Sequence, residues 1–353
     1  MSQKEIINAF IELRRFLSQF SSNGNTKNST VKENDLFFDD FVSLISLSQS
    51  HNGWFTPEQV YFSVESWSNA LTESNLEKWL NNYNLNTSYD TKTIGLILAG
   101  NIPLVGFHDF LSVVVSGHRV LAKLSSNDQK LLPFLANYLI AIEPKLKSKI
   151  TFTEAKLENY DAVIATGSNN TARYFEYYFK NKPSIIRKNR NSVAILNGKE
   201  SKEDLEMLGE DIFRYYGLGC RNVSKLFVPK GYDFKLFFEA IFKFSDIIQY
   251  EKYANNYDYN KAVYLMSLFK ILDNGFLTLK EDTGYASPIS SVFYEFYDDL
   301  NELRARLEND ADLLQCTVSN NLIESSIPFG TTQKPSLWDY ADNVDTIHFL
   351  TNI

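Results

Sequence analysis

Cysteine is scarce: Cys220 and Cys316 are the two in 353 residues. Two cysteines cannot build a disulfide framework, and their sequence neighbourhoods do not pair them, which favours a reducing compartment and a cytoplasmic protein. Histidine is nearly as sparse. The four, His51, His108, His118 and His348, never stand at metal-ligand spacing, so no histidine-based metal site is expected. The chain has no GxGxxG, no GxxxxGK(S/T), no HExxH and no GxSxG elbow. It also lacks a long apolar run. The longest, around "IGLILAGNIPLVGF", is broken by Gly, Asn and Pro and is too short to span a bilayer. The opening "MSQKEIINAFIELRRFLSQF" carries charge throughout and has no apolar signal-peptide core. Positive charge is in deficit, 35 Lys and Arg against 43 Asp and Glu, which argues against nucleic acid as the main partner. An anionic cofactor can still bind where backbone N–H groups and a few lysines converge.

What is present reads as a globular α/β protein. The length suggests two domains or one large α/β unit. A hydrophobic fraction of 44% with 22% charged residues is ordinary for such a protein. The aromatic residues, 27 Phe and 20 Tyr, are read first as core packing. Residues 4–20 place Ile7, Phe10, Ile11, Leu13, Phe16, Leu17 and Phe20 at helical spacing, which predicts a packing helix in preference to a membrane-surface one. Two further helical stretches are expected, around Phe37–Gln49 and Pro57–Trp79, with no chemistry evident in either.

From Thr93 the pattern changes. "TIGLILAG" (93–100), "HRVLAKLSS" (118–126) and "YDAVIATGS" (160–168) are short apolar runs. The helix candidates 103–117, 128–142 and "NNTARYFEYYFK" alternate with them. Such alternation means βαβ units and a parallel sheet. "SVAILNG" (192–198) reads as one more strand, with a domain change near Asn189–Gly198. Beyond it, "SKEDLEMLGEDIFRYYGLG" is a helix with Ser201 as N-cap and Asp204 three residues on, running into the Cys220 turn. "SKLFVP", "SVFYEFY" and "LLQCTVS" read as strands and "FKLFFEAIFKFSDII" as a helix. "NNYDYNKAVYLMSLFKILDNG" reads as a helix ended by Asn274-Gly275.

Ligands of open α/β sheets bind beyond the carboxyl ends of the strands. Three turns fall there: "AGNIP" (99–103), "KLSS" (123–126) and "ATGS" (165–168). Each alone is a weak signal. In this order, followed by "YYGLGCRNVSKLFVP" (215–229), they form a much more specific set. Read without a family, a single cysteine is most often a buried small hydrophobe. That reading is kept for Cys316, which is expected in the core.

The set resembles the acyl-CoA reductases, the group containing the fatty-acid reductase of bacterial bioluminescence, within the aldehyde dehydrogenase superfamily. The resemblance rests on "ILAGNIPLVGFHDFLSVVVSGHRVLAKLSSNDQ" and "YYGLGCRNVSKLFVPKGYDF" and extends over roughly 90–350, including "PFGTTQKPSLWDYADNVDTIHFL". The first ninety residues add little to it. It implies an aldehyde-dehydrogenase-like fold: a Rossmann-type parallel-sheet cofactor domain with N-terminal helices (1–192) and an α/β catalytic domain (193–353). Carried over residue by residue, Cys220 falls on the catalytic cysteine and Asn101 on the asparagine that helps to hold the oxyanion. Lys123 falls on a lysine that contacts the adenosine ribose. Ser126, beside Ser125, stands where NAD-preferring relatives often carry a glutamate, which favours NADP(H). Thr166, Gly167 and Ser168 match the turn that meets the pyrophosphate. No metal is implied. Hydrolytic relatives carry a water-activating glutamate, and the matching stretch here, "KNRNSVAIL" (188–196), has no Glu or Asp.

The resemblance therefore implies NADPH-dependent reduction of an acyl-CoA, most naturally a fatty acyl one, through an acyl-enzyme on Cys220, with coenzyme A released. Gly217 and Gly219 would let the cofactor ring approach the sulfur, and Arg221 stands beside it in sequence. Glu295, Glu324 and Asp339 are open candidates for proton transfer. The alternatives are an aldehyde or acyl-phosphate oxidoreductase on the same scaffold, or a non-catalytic acyl or nucleotide carrier. An acyl-activating partner enzyme and a homo-oligomer are the candidate protein partners.

Overall fold

The computed structural model describes residues 1–85 and 90–353. Its first compact unit comprises 1–188 and 336–353, and its second 189–335.

The first unit begins with helix α1 (Gln3–Leu17), which opens on a capping box between Ser2 and Glu5. Its apolar stripe is buried, with Phe16 stacked on Tyr138 at 4.4 Å. Burying each such side chain stabilises by about 1.5–3 kcal/mol, so this is a packing helix. A short hairpin, β1 (Phe20–Ser21) and β2 (Gly24–Asn25), leads to α2 (Asn34–His51) and α3 (Pro57–Ala70). The single helix expected over 57–79 is broken, because Thr72 caps a new one, α4 (Glu73–Leu80), by accepting the Asn75 N–H.

The parallel sheet follows: β3 (Thr93–Ile97), α5 (Phe107–Val115), β4 (Arg119–Lys123), α6 (Leu131–Ile142), β5 (Ile150–Thr153), β6 (Ala162–Thr166), α7 (Asn169–Phe179) and β7 (Ser184–Arg187). The strand order is β5-β4-β3-β6-β7, with every pairing parallel. The central strands are the buried apolar runs legible in the sequence. The edge strands β5 and β7 are short and only partly buried, and no strand is expected at either from the pattern.

The second unit holds β8 (Asn191–Ile195), α8 (Lys202–Phe213), β9 (Val223–Pro229), α9 (Lys235–Ile241), α10 (Glu251–Met266), β10 (Ile271–Asp273), β11 (Thr278–Glu281), β12 (Ser291–Tyr297), α11 (Leu300–Asn309) and β13 (Leu314–Val318). Its sheet order is β10-β11-β12-β9-β8-β13, antiparallel between β10 and β11 and parallel elsewhere. The Ser201–Asp204 capping box of α8 forms as expected. The helix expected to run to Asn274-Gly275 stops at Met266. Asn274-Gly275 instead turns the β10–β11 hairpin, with Gly275 at φ +93°. An Asn-Gly pair between two strands is a hairpin signal, and it wins here because Ile271–Asp273 finds a partner strand.

The closing segment, with helix α12 (Thr346–Thr351), corrects the expected division at 192. Residues 336–353 pack with the first unit, not with the half that carries Cys220. The Trp79 indole N–H donates to the Tyr340 hydroxyl at 2.6 Å, and Tyr83 donates to Asp345 at 2.8 Å. Arg187, buried in an ion pair with Asp109 at 2.8 Å, also donates to Thr346.

His118 is fully buried in this seam. Its Nδ1 accepts the Lys92 N–H at 3.2 Å, which requires that nitrogen to be unprotonated, and its Nε2 lies 2.8 Å from the Leu350 carbonyl oxygen, to which it donates, so the two partners together select the neutral ring with its proton on Nε2. Burial pushes its pKa down. The unfolded chain therefore takes up a proton that the folded chain refuses. His118 leaves stability intact above its ordinary value of about 6.5 and erodes it as the pH falls below. Urea unfolding is expected to show a steeper acid loss for wild type than for His118→Asn. Equal slopes would remove His118 as the responsible group.

Candidate active site

In the first unit, register places three strand ends level. Ile97 of β3 pairs with Lys123 of β4 on one side and Ala165 of β6 on the other. The chain leaves β3 toward β4 and β5, then crosses back to β6 and β7. That reversal is the topological switch point at which open α/β sheets bind ligands. Asn101, Lys123, Ser125, Ser126, Thr166, Gly167 and Ser168 all lie on this carboxyl edge.

The loops are packed against one another. A Cβ on Gly100 would stand 2.7 Å from Ser125, so only glycine lets the loop after β3 close on the loop after β4. The Ser125 hydroxyl also accepts the Asn127 N–H at 3.2 Å, giving it a role inside its own loop. Ser126 is exposed and Lys123 half-buried. At β6 the Gly167 amide donates to the Arg187 carbonyl, and a Cβ there would meet Thr171 and Phe175 at 3.0 Å. Ser168 is the N-cap of α7, accepting the Thr171 N–H. The first turn of α7 carries no acidic residue, and Ser168, Asn169 and Asn170 are exposed. A helix N-terminus with no acidic residue in its first turn suits the pyrophosphate of a nicotinamide nucleotide. The residues present fit such a cofactor.

Asn101 is exposed on a loop that the N-terminal helices hold. Ser63 of α3 donates to the Pro103 carbonyl at 3.0 Å, and Asn52 donates to the Gly100 and Asn127 carbonyls. Asp128 is buried and accepts backbone N–H groups of Leu104, Lys130 and Leu131, tying the loop after β3 to the start of α6. Burial outweighs these bonds and pushes its carboxyl up to about 6. Leu104, the residue it holds, is left-handed at φ +58°. Sequence reasoning missed Asn52 and Ser63, which carry no local signal; Asp128 was visible only as the start of a helix.

In the second unit Cys220 is exposed in the turn between α8 and β9. After Phe213 the chain takes three left-handed residues in succession: Tyr215, Tyr216 and Gly217, at φ 53°, 58° and 78°. A non-glycine residue there costs roughly 1–2 kcal/mol. The strain is held by packing and hydrogen bonds. Tyr216 stacks on Tyr250 at 4.7 Å. Asn222, buried, donates its amide to the carbonyls of Asp211, Ile212 and Arg214 at the end of α8, while its Oδ1 accepts the Gly219 N–H at 2.8 Å. One side chain thus caps the helix and fixes the residue before the cysteine. On the other side, the Ser192 hydroxyl of β8 donates to the Cys220 carbonyl at 2.9 Å. Asp211 accepts from Gly330 and Thr332, anchoring the 330–332 segment to α8, and burial pushes its carboxyl up to about 6.

Cys316 corrects an expectation. It is half-buried on β13, with its sulfur 3.0 Å from the Ser192 hydroxyl. The acidic candidates separate as well. Burial pulls the Glu295 carboxyl up, but hydrogen bonds from Arg306 and Lys225 outweigh it and hold it below the ordinary range. It is committed to Lys225, a fully buried lysine on β9, at 2.6 Å. Asp339 accepts the Ser336 N–H in the first unit, and Glu324 is exposed. Among the described residues, no group of three His, Cys, Asp or Glu is placed to hold a metal ion, and no helix is long and apolar enough to cross a membrane.

Comparison with known proteins adds an independent line. The family profile of acyl-CoA reductase (LuxC) matches residues 28–239. It begins well before residue 90, so the helical segment contributes more to the resemblance than the sequence reading allowed. No curated protein matched in sequence. The fold is that of the aldehyde dehydrogenases. It is similar to an acetylating aldehyde dehydrogenase from Geobacillus thermoglucosidasius, with TM-score 0.65, 12% identity and coverage of 99% of this chain and 90% of that one. It is also similar to aldehyde dehydrogenase 21 from Physcomitrella patens, solved with the reaction product succinate, with TM-score 0.62, 13% identity and coverage of 90% and 73%. A third similar structure is the P. syringae indole-3-acetaldehyde dehydrogenase in complex with NAD+ and IAA, with TM-score 0.63, 11% identity and coverage of 90% and 72%.

Proposed function

We propose that this chain, which belongs to the acyl-CoA reductase (LuxC) family, reduces a fatty acyl-CoA to its aldehyde with NADPH through an acyl-enzyme on Cys220. The observation that carries the reading is the Cys220 turn. An exposed thiol stands on a strained backbone, and the buried Asn222 and the Ser192 hydroxyl keep that backbone in place. A core cysteine needs no such support.

The Cys220 thiolate attacks the thioester carbonyl. The carbon–sulfur bond to coenzyme A breaks, CoA leaves as a thiol after taking a proton, and an acyl-enzyme remains. A bound nicotinamide nucleotide supplies the hydride. The tetrahedral thiohemiacetal on Cys220 then collapses, releasing aldehyde and regenerating the thiolate. In this reading the oxyanion draws on the Asn101 amide and the Cys220 backbone N–H. Lys123, Ser125 and Ser126 take the adenosine end, and Ser126 leaves room for a 2′-phosphate without opposing its charge. Thr166, Gly167 and Ser168 take the pyrophosphate.

Ser192 stands in the stretch 188–196, which carries no carboxylate to activate water. The acyl-enzyme should therefore outlast attack by water and discharge to a thiol. Incubating the protein with acyl-CoA, without nucleotide, is expected to leave an acyl adduct on the Cys220 peptide by mass spectrometry. Added CoA should remove it, and NADPH should convert it to aldehyde. An adduct elsewhere, or no CoA release, would overturn the proposal. Aldehyde formation from an acyl phosphate alone would favour the other oxidoreductase reading. Intact acyl-CoA bound without turnover would favour a carrier.

A further inference from the structure

The two cysteines lie 96 positions apart, yet both meet one hydroxyl group. The Ser192 Oγ donates to the Cys220 carbonyl oxygen at 2.9 Å and stands 3.0 Å from the Cys316 sulfur. Two such short legs put that sulfur within about 6 Å of the Cys220 carbonyl. The sheet is irregular on both sides of this point. The β13–β8 register slips between Leu314 and Cys316, and the β8–β9 register slips between Ser192 and Val193. Bulges re-aim side chains, and here they flank Ser192 on both neighbouring strands. Cys316 is half-buried in mid-strand although Leu314 and Val318 beside it are buried. Cys220 is exposed.

We propose that Cys220 and Cys316 are a paired modification site that a hydroperoxide converts to an intramolecular disulfide. The exposed Cys220 thiolate reacts first. Its sulfur attacks the hydroperoxide, the O–O bond breaks, an S–O bond forms, and an alcohol (water, from hydrogen peroxide) leaves after taking a proton. The resulting sulfenic acid is then attacked by the Cys316 sulfur. The S–S bond forms, the S–O bond breaks, and water departs with the Cys316 proton. Two electrons pass from the two thiols to one hydroperoxide, and an external dithiol reverses the step. Bridging requires the turn to swing toward β13 until the two Cα atoms are about 4.4–6.8 Å apart. Gly217 and Gly219 supply the backbone freedom, and the hydrogen bonds given up include the one from Ser192 to the Cys220 carbonyl and, where Gly219 turns, the one from its N–H to Asn222. The disulfide would shield Cys220 from further oxidation to the sulfinic and sulfonic acids, which thiols do not reverse.

The inference does not depend on Cys220 being the reductase nucleophile, because its primary readout is a covalent bond and not turnover. The full chain would be treated with a small excess of hydrogen peroxide, alkylated, digested without reduction and mapped by mass spectrometry. The expected product is one linked pair of peptides containing Cys220 and Cys316, two hydrogens lighter than their sum and absent after dithiothreitol. Non-reducing electrophoresis should show a monomer. In Cys316→Ser, Cys220 should instead gain two or three oxygens and stay modified after dithiothreitol. Finding Cys316 alkylated in oxidised wild type, or disulfides only between chains, would overturn the proposal.

Discussion

Cys220→Ala is expected to lower acyl-CoA reduction by at least about 10³-fold and to abolish the acyl adduct. Removing the nucleophile of a covalent mechanism leaves only binding and oxyanion stabilisation, and such losses commonly reach several orders of magnitude. The fold should survive. Cys220 is exposed, and the hydrogen bonds from Ser192 to its backbone carbonyl and from the Gly219 N–H to Asn222 do not use the side chain that the substitution removes. The thermal midpoint should therefore stay within a few degrees of wild type, which separates a chemical loss from an unfolded one. Single-turnover assays with acyl-CoA and NADPH measure the effect. Turnover that survives in a folded variant would transfer the reaction away from this thiol.

Asn222→Ala is expected to cost both activity and stability, for a reason that Cys220→Ala does not share. The Asn222 amide caps carbonyls at the end of α8, and its oxygen fixes Gly219. Truncation leaves buried acceptors without their donor, at about 1–3 kcal/mol for each group stranded. It also releases a turn of three left-handed residues, whose relaxation is expected to displace the thiol. A displacement of about 1 Å at the reacting atom can lower a rate about 10²-fold. We expect kcat to fall on that order, KM for acyl-CoA to change much less, and the thermal midpoint to drop by several degrees. Asn222→Asp should not restore it, because a carboxylate cannot donate to the helix carbonyls. Full activity in a folded Asn222→Ala would mean that the strain, and not this side chain, sets the thiol's position.

The cysteine turn illustrates how unevenly the molecule can be read from its sequence. The Gly-Leu-Gly-Cys stretch announced a turn, and the Ser201–Asp204 pair announced the start of α8. Nothing local announced that Tyr215 and Tyr216 would be left-handed, since bulky residues rarely are. Asn222 is likewise one polar residue among many until its three carbonyl partners are seen. The same holds for the loop after β3. Gly100 and Asn101 stood out because a Gly-Asn pair ends an apolar run. Asn52, Ser63 and Asp128, which hold that loop, lie 24 to 48 positions from the residues they bind.

The sequence by itself determined the parallel sheet, its central strands and crossover helices, and the three strand-end turns. Those features follow from burial period and backbone chemistry, which act between residues a few positions apart. Only the tertiary structure decided the edge strands β5 and β7, the hairpin at Asn274-Gly275 and the return of residues 336–353 to the first unit. It also decided the convergence of Cys220 and Cys316 on Ser192. Each of these depends on a partner far along the chain: Tyr340 lies 261 positions from Trp79, and Cys316 lies 124 from Ser192. A hydrogen bond or a strand pairing at that range leaves no period in the sequence, because its two halves carry no pattern until the fold brings them together.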